Sequence, residues 1–368
     1  MAITRITTAN AIADSSVQNI KMSNIVQSKN IIINGDMSIA QRSTSVTGIT
    51  GQGYNTVDRY ATFLTTLGTW TQSQSTDVPT GQGFATSLKM DCTTADASPA
   101  AGDRLLIQQK IEGQNLQYIK KGTSDAESLT VSFWVKSNKT GTYIAELFDN
   151  DNTRQISKSY SISSANTWEK KTMTFAGDTS GTLGNDNGDS LILHLWLGAG
   201  TTYSSGTLST TWTSNTNANR AVGQINLADS TSNDWYVTGV QLEAGTTASE
   251  FEFLPVDVNL ARCQRYFLSL QGVGSTAIGS GISQTSSASA CYINFITSMR
   301  SSPTATYSSL GITDATNYSA NVSSIQSIES GTTGARIIIN HASSATALRS
   351  ALLIVNDANA YLHLNSEL

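Results

Sequence analysis

Two peptides bracket one stretch of the chain and limit what it can fold into. The first is Asn30-Ile-Ile-Ile-Asn-Gly-Asp-Met-Ser-Ile-Ala-Gln-Arg42, an apolar run entering a tight Asn-Gly-Asp turn. The second is Trp235-Tyr-Val-Thr-Gly-Val-Gln-Leu-Glu-Ala-Gly245, which reads as a strand with Tyr236, Thr238, Val240 and Leu242 on one face. A first strand that meets a last strand closes a long β chain into one sandwich. Between the brackets, strand signals and turn signals alternate without the spacing of βαβ units.

The runs at 54–64, 87–92, 104–111, 129–135, 143–148, 155–162 and 169–175 supply most of the strands. Leu191-Ile-Leu-His-Leu-Trp-Leu197 alternates cleanly, with four leucines on one face and Ile192, His194 and Trp196 on the other. Residues 114–119 predict a short helix or turn. About ten strands in this arrangement predict a two-sheet jelly roll over residues 29–254.

Pro255 marks a boundary, and residues 255–368 predict a smaller antiparallel β-sandwich that ends on a strand at the tip of the molecule. Residues 1–28 are too short and too polar to hold a core. Ile3, Ile6, Val17, Ile20 and Ile25 are thinly spread there, so the segment is either a flexible tail or an anchor ordered by other subunits. The fold class expected is therefore all-β: jelly roll, C-terminal sandwich and a short extended N-terminal segment.

Composition narrows the function classes. Charged residues are 13% of 368 and the net charge is −5, with no basic run. A nucleic-acid partner needs a Lys/Arg stripe to displace phosphate counterions, so no such partner is expected. No apolar stretch is long enough to span a bilayer, and the N-terminus lacks a signal-peptide pattern. Cys92, Cys263 and Cys291 show no zinc spacing and predict buried reduced thiols.

Chemistry is sparse. His194, His341 and His363 fall in no metal or catalytic motif, and His194 reads as a packed structural histidine. Asp178, Asp186 and Asp189 share a loop without the spacing of a calcium loop. Asp36 and Glu243 are expected to be close and either cap turn amides or share a structural cation, while structural calcium is the alternative to solvated turn residues in the loop of Asp178, Asp186 and Asp189. No catalytic residue and no cofactor are expected.

Sugar binding needs aromatic faces against which pyranose C–H groups stack. Trp196, Tyr203, Trp212 and Trp235 are the aromatics to weigh in the jelly roll, and Tyr307, Tyr318 and Tyr361 at the far end. Tyr203 and Trp212 stand out because they lie in a polar loop, 198–220, with no alternation around them. A second long loop covers 177–189. Ligand binding is expected at Tyr203, Trp212, Tyr307, Tyr318 and Tyr361.

Several peptides carry a resemblance. Asn34-Gly-Asp-Met37, Ile39-Ala-Gln-Arg42, Val57-Asp-Arg-Tyr60, the block 107–116, Val131-Ser-Phe-Trp-Val-Lys-Ser137, Asn166-Thr-Trp-Glu-Lys-Lys171, Gly177-Asp-Thr-Ser-Gly181 and the block 237–245 are similar to a jelly-roll domain of bacteriophage tail fibres. That domain is similar in fold to carbohydrate-binding modules. Leu260-Ala-Arg-Cys-Gln-Arg-Tyr-Phe267, Ser298-Met-Arg-Ser-Ser-Pro-Thr304 and the ending Asn365-Ser-Glu-Leu368 also look like fibre sequence, and 7–26 resembles segments of fibre stalks and attachment regions.

The resemblance implies a virion structural protein, a homotrimeric fibre external to the particle and extracellular once released by lysis. Residues 1–28 would dock to a tail or head protein. The C-terminal unit would touch a host surface glycan or lipopolysaccharide by reversible binding. Two rivals remain: a purely structural fibre or connector, and a polysaccharide depolymerase.

Overall fold

The computed structural model describes residues 29–314, 319–342 and 345–368. Two antiparallel sheets form the larger unit. One has six strands in the order β1 (Ser45–Ile49), β4 (Thr69–Ser75), β5 (Ser87–Thr94), β13 (Asp234–Ala244), β7 (Leu129–Ser137) and β10 (Glu169–Phe175). The other has seven: β12 (Thr213–Ser214), β9 (Arg154–Ile162), β8 (Gly141–Asp149), β11 (Asp189–Ala199), β6 (Arg104–Glu112), β3 (Ala61–Thr65) and β2 (Gly53–Tyr54). Their facing sides share one core, in which Trp70, Met90, Phe133 and Trp235 meet Leu105, Ile107, Leu147, Leu193 and Leu195. This is the expected jelly-roll sandwich. The four leucines of β11 point inward, and Ile192, His194 and Trp196 point out.

The bracket holds, in a modified form. Residues 30–36 lie against the last strand of the sandwich but form bends and a turn rather than a ladder strand. The cause is a bulge. β13 pairs with β5 only as far as Val237, and its register to β7 shifts between Thr238 and Gln241. Beyond the bulge the same edge is filled by the N-terminal peptide. The Val240 N–H donates to the Gly35 carbonyl (2.9 Å), Ile31 N–H to the Leu242 carbonyl (2.9 Å) and Leu242 N–H to Asn30 Oδ1 (3.1 Å). Only glycine fits at position 35, since a Cβ there would lie 2.1 Å from the Val240 carbonyl oxygen. The bulge also corrects the expected face of β13. Trp235 and Val237 point into the core, Tyr236 points out beside Trp168, and Val240 and Leu242 return to the core after the shift.

The C-terminal unit is antiparallel β as expected, and most of it closes on itself instead of stopping as two open sheets. The strands β15 (Ala277–Ser283), β16 (Ala288–Asn294), β20 (Gly334–His341), β19 (Ser319–Ser330), β18 (Leu310–Thr313) and β21 (Ser350–Val355) make a barrel. Beside it lies a three-stranded sheet of β14 (Phe267–Gln271), β22 (Tyr361–Asn365) and β17 (Thr304–Ser308). Closure removes exposed sheet edges. It needs close strand approach, and Gly281 provides it, a Cβ there meeting the Ala290 carbonyl at 1.9 Å. Cys291, Ile312, Ile337, Ile339 and Leu353 fill the interior.

Helix α1 (Val256–Gln264), which the strand-based reading did not anticipate, joins the two units. Around it the contacts are dense. The Arg59 guanidinium, fully buried, pairs with Glu367 and stacks 3.4 Å from the Tyr266 ring. Arg42 pairs with Glu367 at 3.2 Å and lies 3.6 Å from the Phe267 ring centroid. Arg265 grips Glu112 with two 2.7 Å bonds. Residues 366–368 thus run back onto the sandwich rather than projecting from a distal tip. Residues 1–28, including Ile3, Ile6, Val17, Ile20 and Ile25, and Tyr318 lie outside the described residues.

Candidate functional site

The outer face of the seven-stranded sheet carries a groove of about 550 Å³, within the range of small-molecule sites. Strand alternation decides what lines it. β6 presents Arg104, Leu106, Gln108 and Lys110; β11 presents Ile192 and His194; β3 and β8 add the half-buried rings of Phe63 and Phe148. Tyr54 and Leu368 close the end nearest the junction.

The opposite wall comes from the long loop after β11. A one-turn helix, Thr201–Ser204, starts it, and the segment then folds back over the sheet. Ala221 N–H donates to the Tyr203 carbonyl (2.8 Å), Ser157 Oγ to the Arg220 carbonyl (2.9 Å) and Ile144 N–H to Gln224 Oε1 (2.8 Å). These bonds make the loop a fixed wall. Tyr203 becomes part of a small apolar cluster with Leu106, Ile144, Trp196 and Ala221.

Beneath the groove floor sits a buried polar network. Glu146 on β8 is wholly inaccessible. Arg220 donates to both of its oxygens, at 2.8 and 3.0 Å. His194 Nδ1 lies 2.9 Å from Glu146 Oε2, and Trp196 Nε1–H donates to the same oxygen at 3.0 Å. Burial opposes ionisation of Glu146, but the Arg220 charge and the His194 contact outweigh it and hold the pKa down at about 2. Burial lowers the pKa of His194, and Glu146 restores only part of the loss, so the imidazole is neutral at pH 7. The network ties the floor to one wall through a shared carboxylate.

The structure disperses the aromatics expected to bind ligand. Tyr203 is buried under the loop, 5.6 Å from Trp196 and 4.8 Å from the Arg104 guanidinium, and is not among the residues lining the groove. Trp212 packs on the main core and donates from Nε1 to the Ala176 carbonyl at 2.8 Å. Tyr307 faces the C-terminal core. Tyr361 stacks on His363 at 4.0 Å on the outer side of the three-stranded sheet. Trp196 and Trp235 are fully buried. Phe63, Phe148, Arg104, Gln108, Lys110 and Arg220 line the groove and were not singled out. The polar alternation of 104–110 and 192–196 was a signal for that face.

The acidic residues weighed for a cation are each engaged separately. Asp36 accepts from Ser38 Oγ (3.0 Å) and Asn259 Nδ2 (3.1 Å), and Glu243 from Ser249 N–H (2.8 Å) and Oγ (2.8 Å). Asp178 pairs with Arg154 (2.7 Å) and Lys121 (3.0 Å), Asp186 caps the Gly188 amide (2.8 Å), and Asp189 pairs with Lys110 (2.9 Å). Among the described residues no three His, Cys, Asp or Glu side chains converge as a metal site.

No family model matches the chain, and no curated protein matches it. Solved structures give likenesses of fold at low identity. The enzymatically active domain of tailspike protein 4 of bacteriophage CBA120 is 15% identical, with a TM-score of 0.31 over 59% of this chain and 21% of that one. This chain therefore spans about a fifth of that tailspike chain. A protein described as a putative sugar-binding protein, from Bacteroides thetaiotaomicron, is 12% identical, with a TM-score of 0.32 over 58% of this chain and 99% of that one. The module TmCBM61, solved with β-1,4-galactotriose, is 9% identical, with a TM-score of 0.29 over 59% and 99% of the two chains.

Proposed function

We propose that this chain is a non-catalytic virion fibre subunit that binds a host surface glycan in the groove of the seven-stranded sheet. The groove itself carries the reading. It is preformed, walled by a fixed loop, and mixes half-buried aromatic rings with amide, imidazole and cationic groups. That is the mixture a saccharide needs, with C–H faces on rings and hydroxyls on polar donors. Binding is favoured over cleavage because the carboxylates at hand are engaged. Glu146 is held by Arg220, His194 and Trp196, and Asp189 by Lys110.

The fibre context rests on the tail-fibre resemblance of the peptides in the sandwich. In that setting the subunit is a homotrimer anchored to a tail or head protein through residues 1–28. Several copies per particle would raise a weak single-site affinity by effective concentration. The groove is favoured over Tyr307 as a contact, because Tyr307 faces a core.

The test uses the full chain, fluorescently labelled, on a glycan array and on candidate host cells, with its mass measured in solution. The wild type is expected to bind as a trimer, and Phe63→Ala/Phe148→Ala to lose at least tenfold in affinity while melting as a folded protein. Undiminished binding by that double variant would move the site elsewhere. A trimer that binds no glycan and no host would leave a structural fibre.

A further inference from the structure

We infer that the groove selects saccharides bearing an anionic group, a uronate-type carboxylate or a phosphate ester, and that Arg104 receives it. The inference rests on the glycan-binding reading of the same groove and adds its chemical class.

Charge accounting at the groove leads there. Three cations line it. Lys110 is neutralised by Asp189 at 2.9 Å, and Arg220 by Glu146 at 2.8 Å. Arg104 has no carboxylate partner among the described residues. Its Nε is buried without a hydrogen-bond partner. In a chain of net charge −5, the groove therefore keeps one cation that the protein leaves uncompensated.

Arg104 is also held in place. It opens β6 opposite Thr65 on one side and Ala199 on the other. Its guanidinium carbon lies 4.3 Å from the Phe63 ring centroid and 4.8 Å from that of Tyr203. Two rings keep the plane of the fork fixed, so little side-chain entropy remains to be lost on binding. Burial and the nearby Arg220 charge act against the protonated form, with only partial relief from Tyr203 and Glu146. An incoming oxyanion relieves that cost and accepts parallel N–H bonds from the fork. A neutral sugar hydroxyl satisfies one donor and leaves the charge uncompensated.

The experiment places the full chain on an array with neutral, carboxylate-bearing and phosphate-ester-bearing saccharides at matched density. Solution titrations follow with an oligogalacturonate and its methyl-esterified, uncharged counterpart. The carboxylate and phosphate arms identify which oxyanion is taken. The expected result is a preference of at least tenfold for an anionic class, weakening as salt is raised. Arg104→Gln should reduce that preference to near unity, and Arg104→Lys should restore only part of it, since it keeps the charge without the fork. Thermal melts of both variants separate folding loss from binding loss. Binding confined to neutral saccharides, with the same profile in Arg104→Gln, overturns the inference while the groove reading stands. No saccharide binding in any class overturns both.

Discussion

Two buried charge networks lie close together in this molecule and differ in what they join. The groove network links Glu146 to His194, Trp196 and Arg220, residues 48, 50 and 74 positions apart, all within the sandwich. The junction network links Glu367 to Arg59 and Arg42, 308 and 325 positions apart, and so ties the chain's last described residues to its first strands. The first supports an open surface. The second is sealed under the Tyr266 and Phe267 rings. Charge burial here serves shape in one place and cohesion in the other, and substitutions should separate the two.

The largest effect is expected at the junction. Arg59→Ala removes one of the two guanidinium partners of Glu367, leaving Arg42, and should cost roughly 3 kcal/mol of stability, read from urea unfolding. Binding per folded molecule should change by less than about threefold, under ~0.7 kcal/mol. A loss below ~1 kcal/mol would mean that cohesion of the two units does not depend on the Arg59–Glu367 pair.

Next comes Glu146→Gln, which removes the charge opposite Arg220. It should cost about 2–3 kcal/mol and, unlike Arg59→Ala, lower glycan affinity at least tenfold by releasing the groove wall. Equal binding by wild type and variant would show that the wall does not depend on the network.

Acid sharpens the contrast, because the two networks titrate in opposite senses. Burial pushes Asp58, beside Arg42, up from 3.8 to about 6, with Arg42 and Gln41 pulling it back. Its contribution is complete below pH 3.8 and lost as pH rises through 6. His194 is depressed below 6.5, so its contribution is present above that pH and lost as pH falls below it. The stability gap between wild type and Asp58→Asn should therefore widen as pH drops from 6 towards 4, and that for His194→Gln should narrow below 6.5. Parallel curves from pH 4.5 to 8 would refute the opposition. The smallest effect is expected on the barrel surface, where Arg336 pairs with the exposed Glu329 at 2.7 Å. Arg336→Ala should leave the unfolding midpoint in the same assay close to that of the wild type.

Much of the sandwich was legible because its strands alternate. Residues 191–197 and 129–135 reported both their conformation and their inward faces. The bulge in β13 was not legible, since Gly239 (φ 63°) breaks a phase that the surrounding residues continue. Helix α1 was missed because its mixed polar sequence carries little helical periodicity. The groove was half visible. His194 and Trp196 marked the outward side of β11, but its partner Arg220 arrives from a loop, and only the fold brings them together. Tyr203 and Trp212 are less open than their sequence context suggests, for a related reason. Their polar loop suggested exposure, yet it folds down and packs them. Closure of the C-terminal strands into a barrel depends on pairing between β15 and β21, about 70 residues apart, which no local pattern encodes.

The peptide at 30–35 finally sets a clock on synthesis. Part of its backbone bonding is met by β13, with Asn30 and Val240 separated by 210 positions. At translation rates of about 5–20 residues per second, roughly 10–40 s pass between the emergence of the two partners. During that interval the Ile31-Ile32-Ile33 run is an unpaired apolar strand former at the front of a growing chain. Such non-local closure also makes for slow folding. Production of this protein should therefore gain from slower expression at low temperature, which favours native closure over capture of that peptide by a neighbouring chain.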